Sequence, residues 1–185
     1  LGLATPLAIV ISEGLCAKNG ILVKKSEILE NANKIDVIVF DKTGTLTYGN
    51  LRISKIINNS GYSNNSLLEI VSSLESKSTH PIASAFKSYA SDNGLKSLNV
   101  SDFKNLAGIG LSGVINEKAY LIGNNKIFDK YKLDNNMFKE EKELSLDGNS
   151  IVYVLENRKV IALIGVKDII RDNASRVIKK LKQIN

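Results

Sequence analysis

Asp41 closes the run Ile35-Asp36-Val37-Ile38-Val39-Phe40, which is apolar and β-prone apart from Asp36. Such a run reads as a buried strand that delivers one carboxylate to its C-terminal end. Open parallel α/β sheets place their ligand crevice at that end. Lys42 and Gly44 follow at once, so the carboxylate has a cation and a flexible turn beside it. This layout suits a carboxylate that attacks phosphorus. Two positions beyond Asp41 stands Thr43 rather than a second acid. Phosphatases with an Asp nucleophile commonly carry an acid there, to protonate the leaving group and then activate water. Thr43 does neither near neutral pH, so an aspartyl-phosphate on Asp41 is expected to persist long enough to drive a movement.

Two further sets of residues have types and spacing worth weighing. His80, the only histidine, precedes Pro81, with Glu75 five residues upstream, Gly108-Ile109-Gly110 downstream and Gly123-Asn124 beyond. A lone histidine before a helix is by default a cap or a satisfied core residue, and a lone Gly-x-Gly is by default a turn or bulge. Asp168-Ile169-Ile170-Arg171 follows an apolar strand ending at Val166. Asp168 there can cap a helix, bridge to the phosphate region, or do both.

The elements that must position these groups are legible in outline. Ser66-Leu67-Leu68-Glu69 matches a capping box, and Leu67, Ile70, Val71 and Leu74 continue it at helical spacing. Pro81 suits a first helical position, with Ile82, Ala85, Phe86 and Tyr89 on one face. Strands are expected at 111–116 and 119–122 around an Asn116-Glu117 turn, and helices near 124–131 and 134–146. After the loop Asp147-Gly148-Asn149-Ser150 come the β-branched runs 151–155 and 160–166, which resemble 35–40 more than the polar region between. Asp172-Asn173 can cap a last helix with a buried stripe of Val177, Ile178, Leu181 and Ile184. The expected organisation is an α/β chain. Residues 24–50 and 149–185 form an incomplete parallel-sheet domain, residues 51–148 form an α+β insertion, and Tyr48-Gly49-Asn50 is a hinge between them.

The stretch 41–47, Asp-Lys-Thr-Gly-Thr-Leu-Thr, resembles the phosphorylation motif of the P-type ATPases, cation pumps of the haloacid dehalogenase-like superfamily. Glu75, the His80-Pro81 pair, Gly108-x-Gly110 and Gly123-Asn124 together resemble the nucleotide-binding domain of the heavy-metal (P1B-type) pumps. Asp168-x-x-Arg171 resembles the Asp-x-x-Arg/Lys element near the phosphorylation site of that family. The resemblance implies a haloacid dehalogenase-like phosphorylation domain with an inserted nucleotide-binding domain, and ATP and Mg²⁺ as cofactors. It implies ATP held through Glu75, His80, Gly108, Gly110, Gly123 and Asn124, with the His80 ring against the base and Glu75 accepting from its amino group. It also implies phosphoryl transfer to Asp41, with Mg²⁺ on the Asp41 carboxylate and the Thr43 carbonyl. Thr43 and Thr45 then position phosphate oxygens, Lys42 adds positive charge, and Asp168 and Arg171 complete the catalytic set.

By the same resemblance the intact protein drives a soft or transition metal across a membrane, this segment facing the cytoplasm. Copper comes first, with zinc, cadmium, cobalt and silver open. Leu1-Gly2-Leu3-Ala4-Thr5-Pro6-Leu7-Ala8 resembles the stretch after the Cys-Pro metal motif in a spanning helix. Residues 1–23 therefore read as the cytoplasmic end of such a helix, the alternative being a short buried helix; the apolar run from Leu1 to Ser12 is too short to span, which takes about 20 residues. The family's Thr-Gly-Asp and Gly-Asp-Gly-x-Asn-Asp segments do not occur, so the chain is expected to bind nucleotide but hydrolyse it poorly.

Composition narrows the alternatives. The 185 residues carry 43% hydrophobic and 24% charged side chains and a net charge of +6, ordinary for a domain with a core. The lysines are dispersed and Trp is absent, which argues against a nucleic-acid partner. One cysteine excludes an internal disulfide. Two competitors remain. A phosphatase of the same superfamily with an inserted cap is disfavoured by Thr43, and a non-catalytic nucleotide sensor by the intact 41–47 motif.

Overall fold

Alternation of apolar side chains decides the architecture of residues 41–185. In the computed structural model, which describes residues 4–183 (of Asn33 only the backbone), the chain divides into two units, 1–40 and 41–185. Each is described by itself. Residues 1–3 and Ile184, used in the sequence reading, lie outside the described residues.

The larger unit is built on one six-stranded sheet in the order β1-β6-β5-β4-β3-β2. The strands are β1 (Thr47–Asn58), β2 (Ser101–Leu106), β3 (Gly110–Ile115), β4 (Lys118–Gly123), β5 (Ser150–Glu156) and β6 (Lys159–Ile170). Every neighbouring pair is antiparallel. Of the seven α-helices among the described residues, five belong to this unit: α3 (Asn64–Glu75), α4 (Pro81–Asp92), α5 (Lys126–Tyr131), α6 (Phe138–Leu146) and α7 (Ala174–Leu181).

Successive residues of β5 point to opposite faces. Val152 and Val154 join one core with Leu67, Val71 and Leu74 of α3 and Phe86 of α4, while Tyr153 and Leu155 join a second core with Ile127 of α5 and Leu144 of α6. The sheet is thus covered on both faces. In β6 the register against β5 shifts between Val154 and Leu155, and Ile161 and Ala162 both fall on the α3 side, as a bulge requires.

This topology corrects the parallel arrangement expected for 151–155 and 160–166. A two-residue turn at Asn157 and Arg158, both at positive φ (46° and 67°), joins the two strands. A turn that short can only make an antiparallel pair. Their continuous apolar character comes from helices on both faces of a central antiparallel strand, an environment that leaves the same sequence mark as a parallel sheet. The sheet also runs without a break across residues 148–149, where the sequence reading divides the domains.

Local signals account for most of the rest. Helix α3 is capped by Ser63, whose hydroxyl accepts from the Ser66 amide at 3.1 Å, so the cap lies three residues before the Ser66 expected. Pro81 does open α4. Residues 48–50 lie within β1 at a register shift against β6, with Gly49 at φ +71°, and so form a bulged stretch of strand. β1 and β2, outer strands with mixed polar sequence, carried too little alternation to be seen in advance. The stripe on α7 is only partly covered, with Val177 40% exposed.

The smaller unit holds α1 (Ala4–Lys18), α2 (Glu27–Asn31) and a 3₁₀ turn at Ala32–Lys34. No helix among the described residues is long and apolar enough to cross a membrane; 15 residues rise only about 22 Å. Residues 35–40, expected as a buried strand, are not in a strand, and Val39 is 89% exposed. A parallel strand exists only through ladder bonds to parallel neighbours, and none of the six described strands is parallel to another.

Candidate functional site

Asp41 leads into a tight loop, Lys42–Leu46, whose shape is set by Gly44. Thr43 (φ −78°, ψ 121°) and Gly44 (φ 80°, ψ −15°) have the central dihedrals of a type II turn, which needs a positive φ at its third residue. Asp41 and residues 42–45 are exposed, and the Asp41 carboxylate makes no capping bond. The loop is held from below by Thr47, only 3% exposed. Its hydroxyl accepts from the Gly44 amide at 3.2 Å and lies 3.0 Å from the Lys42 carbonyl and 2.5 Å from Asp168 Oδ2. Asp168 Oδ1 accepts from the Asn50 amide at 2.9 Å. The Arg171 guanidinium donates to the carbonyls of Thr47 and Gly44, each at 3.1 Å, and its backbone amide donates to Leu46 at 2.9 Å.

Asp168 and Arg171 therefore fasten the loop to the end of β6. Arg171 grips the loop backbone and the Thr47 carbonyl, Asp168 holds the Thr47 hydroxyl and the Asn50 amide, and neither bonds to the Asp41 carboxylate. Thr47 closes the 41–47 motif, but the sequence offers little reason to single it out within that motif. Its signal was faint: a hydroxyl following Leu46 at the start of a strand.

A cleft of about 840 Å³ opens beside this loop, with Lys42, Thr47, Arg52, Lys167 and Asp168 on its walls. Arg52 and Lys167 face each other across the β1–β6 ladder. Like charges so placed repel, and the carboxylates of Asp147 and Asp168 line the same cleft.

The second set gathers around a separate pocket of about 790 Å³. Glu75, His80, Gly108, Gly110, Gly123 and Asn124 all line it, although they come from the end of α3, the start of α4, the β2–β3 turn and the end of β4. His80 serves as the N-cap of α4: its Nδ1 accepts from the Ile82 amide at 3.2 Å. That bond leaves the proton of the neutral ring on Nε2, directed away from the cap. The default reading of a lone histidine as a cap and the reading as a pocket residue are both true of it.

Glu75 is 6% exposed, and its Oε2 has no hydrogen-bond partner. Burial pushes its carboxyl up from 4.5 to about 7, against the opposing pull of the Lys87 ammonium. A buried acceptor left unpaired costs free energy until something donates to it, so the pocket has one unfilled demand, for an N–H or O–H.

The glycines divide by task. A Cβ on Gly110 would stand 1.9 Å from the Ile122 carbonyl oxygen, and one on Gly123 would stand 2.1 Å from that of Ile109. Their missing side chains make room for the β3–β4 crossing itself. Only at Gly108 is the space open, with nothing within 4 Å. Asn124 staples this wall, its amide donating to the Ile109 carbonyl at 2.9 Å and its Nδ2 to the Gly108 carbonyl at 3.0 Å.

The exposed Asp41 carboxylate at the head of a clamped loop invites comparison with the haloacid dehalogenase-like hydrolases. Residues 35–185 match the model of that family, and the chain belongs to it. Within it, the chain is similar over its whole length to a probable copper-transporting P-type ATPase B of Staphylococcus aureus (strain USA300 / TCH1516), at 37% identity over 188 residues. It covers 27% of that relative, about a quarter of its length. Among solved structures it is similar to a zinc-transporting PIB-type ATPase in the E2.Pi state, with a TM-score of 0.83 and 29% identity, covering 97% of this chain and 29% of that one. It is also similar to the catalytic domain of the CPx-ATPase CopB-B, with a TM-score of 0.64 and 32% identity, covering 88% of this chain and 56% of that one. The heavy-metal P-type resemblance of the sequence is thereby borne out.

Proposed function

We propose that this chain is the nucleotide-binding and phosphoryl-accepting part of an ATP-driven heavy-metal pump. The observation that carries the reading is the pocket itself: six residues scattered over fifty positions of sequence line one cavity whose buried carboxylate lacks a donor. The exocyclic amino group of adenine supplies that donor, and the exposed His80 ring offers a flat face for the base.

The γ-phosphate is then brought to Asp41. A carboxylate oxygen of Asp41 forms a bond to the γ-phosphorus, the bond from that phosphorus to the β–γ bridging oxygen breaks, and ADP leaves with the electron pair. The exposed Thr43 and Thr45 hydroxyls position phosphate oxygens, Thr47, Asp168 and Arg171 keep the loop from yielding, and Lys42 adds positive charge. With Thr43 two residues on and no acid there, the acyl-phosphate is long-lived.

Mg²⁺ suits the donors present. The Asp41 carboxylate and Thr43 carbonyl are hard oxygens, and magnesium commonly takes one or two protein ligands together with substrate phosphates. No group of three or more His, Cys, Asp or Glu gathers among the described residues. When bound there the ion would neutralise charge between nucleophile and phosphate.

The domain limits proposed from sequence need revision on this reading. The nucleotide-binding domain takes in the whole antiparallel sheet, and the chain returns to the phosphorylation domain at the Asp168–Arg171 clamp. The transported ion is proposed to be copper, with zinc second, in keeping with the relatives' names. The intact protein is proposed to lie in the cell membrane with this segment on the cytoplasmic side.

In the intact pump, ATP labelled at the γ-position should give an acid-stable phosphoprotein that Asp41→Asn abolishes. Label surviving that change would remove the nucleophile assignment. A capped phosphatase is not favoured by the transporting relatives. Turnover of a generic phosphate ester by this chain would revive it.

A further inference from the structure

Glu75 and His80 sit at opposite ends of a short connection between α3 and α4, and something must hold that connection in shape. Ser78, 5% exposed, does part of this: its hydroxyl accepts from the His80 amide at 3.1 Å, and its own amide donates to the Glu75 carbonyl at 2.9 Å. The Ser78 carbonyl in turn accepts from Lys87 Nζ at 3.0 Å. Lys87 lies on α4, two turns beyond the His80 cap. It thus ties the connection back onto the helix that His80 opens.

Resting on the nucleotide reading of this pocket, we propose that Lys87 is a positioning residue of the site. Its ammonium holds the loop 78–80 against α4 and keeps a positive charge near the buried Glu75 carboxylate.

The surroundings make that charge count. Glu75 and His80 are the only titratable residues that line the pocket, and the strands behind it contribute Asn105, Gly110, Leu111, Gly123 and Val152. Lys77, two residues after Glu75, carries its Nζ over the Phe103 ring at 5.7 Å from the centroid. Lys87 is the one charge that opposes the effect of burial on Glu75. A carboxylate accepts from the adenine amino group, and a protonated carboxyl does so poorly. Lys87 therefore sets the pH below which the pocket loses its hold on the base.

The sign follows directly. Lys87 favours the ionised form, so its removal raises the Glu75 pKa above about 7. The pH midpoint for ATP binding should rise by about one pH unit in Lys87→Met, with about fivefold weaker binding at pH 7. Lys87→Arg should restore the wild-type profile, and Glu75→Gln should bind weakly with a flat profile.

The test is titration calorimetry with ATP from pH 6 to 8.5 on this chain and the three variants. It is paired with carbon-detected NMR titration of the Glu75 carboxyl without nucleotide and with amide exchange at 78–80. Lys87→Met should move the carboxyl midpoint upward and speed exchange in the loop. An unchanged midpoint and unchanged exchange would overturn the proposal, and would do so whether or not ATP binds. Failure of the wild-type chain to bind ATP would instead overturn the nucleotide reading, and the positioning role with it.

Discussion

At the scale of single residues, two buried polar groups carry the account. The Thr47 hydroxyl accepts from the Gly44 amide and donates to Asp168 at 2.5 Å, with the Lys42 carbonyl 3.0 Å away. Replacement by Val keeps its shape and leaves the Asp168 carboxylate and the Gly44 amide short of a partner. We expect Thr47→Val to lower stability by about 1–3 kcal/mol in urea denaturation; in the intact pump it should slow phosphoenzyme formation with little change in ATP affinity. Equal loss of both would mean the loop and the pocket are not separable. Glu75 gives a second prediction. Its folded pKa is raised from 4.5 to about 7, so the protonated form is the one the fold favours. Stability without nucleotide should be greatest below pH 4.5 as far as this group is concerned, and fall as pH rises through about 7, by about 3 kcal/mol in all. Glu75→Gln should abolish that part of the pH dependence in parallel melts at pH 5 and pH 8. A variant whose melts still diverge as the wild type's do would show that the strain lies elsewhere.

At the scale of elements, the sheet rather than the ligand explains two of the pocket glycines. Gly110→Ala would set a Cβ against the Ile122 carbonyl at 1.9 Å, and the obstacle is backbone, which cannot swing aside. A loss of about 3 kcal/mol or more is expected in equilibrium denaturation, whereas Gly108→Ala, with open surroundings, should cost only about 1–2 kcal/mol, for placing a Cβ at φ +71°. Near-equal losses would contradict the division of tasks. The same elements show what a sequence can disclose. α3, α4 and the β3–β4 hairpin were legible because periodicity, Pro81 and the Asn116-Glu117 turn all agree on them. Strands β5 and β6 were legible as strands but not in direction, because burial on both faces erases the alternation that marks an antiparallel strand. β1 and β2 were not legible, since outer strands with polar residues carry no clear period. The pocket residues could be listed from motif resemblance, but only the fold shows that His80 is a cap and a wall at the same time. Lys87 carries no motif at all, and its place follows from the turn of one helix.

At the scale of the whole molecule, a chain that spans about a quarter of the relatives it matches holds both the pocket that Glu75 and His80 line and an exposed carboxylate, Asp41, on a clamped loop. On the proposed function this chain binds ATP and turns it over poorly by itself, a combination that separates it from a capped phosphatase. The most direct test is an amide-resolved NMR titration of this chain with ATP. The account predicts shifts concentrated at residues 75–80, 105–110 and 123–124, weakened about tenfold in apparent affinity by His80→Ala. Shifts centred instead on the cleft around Arg52 and Lys167, or none in the Glu75 pocket at saturating ATP, would contradict it.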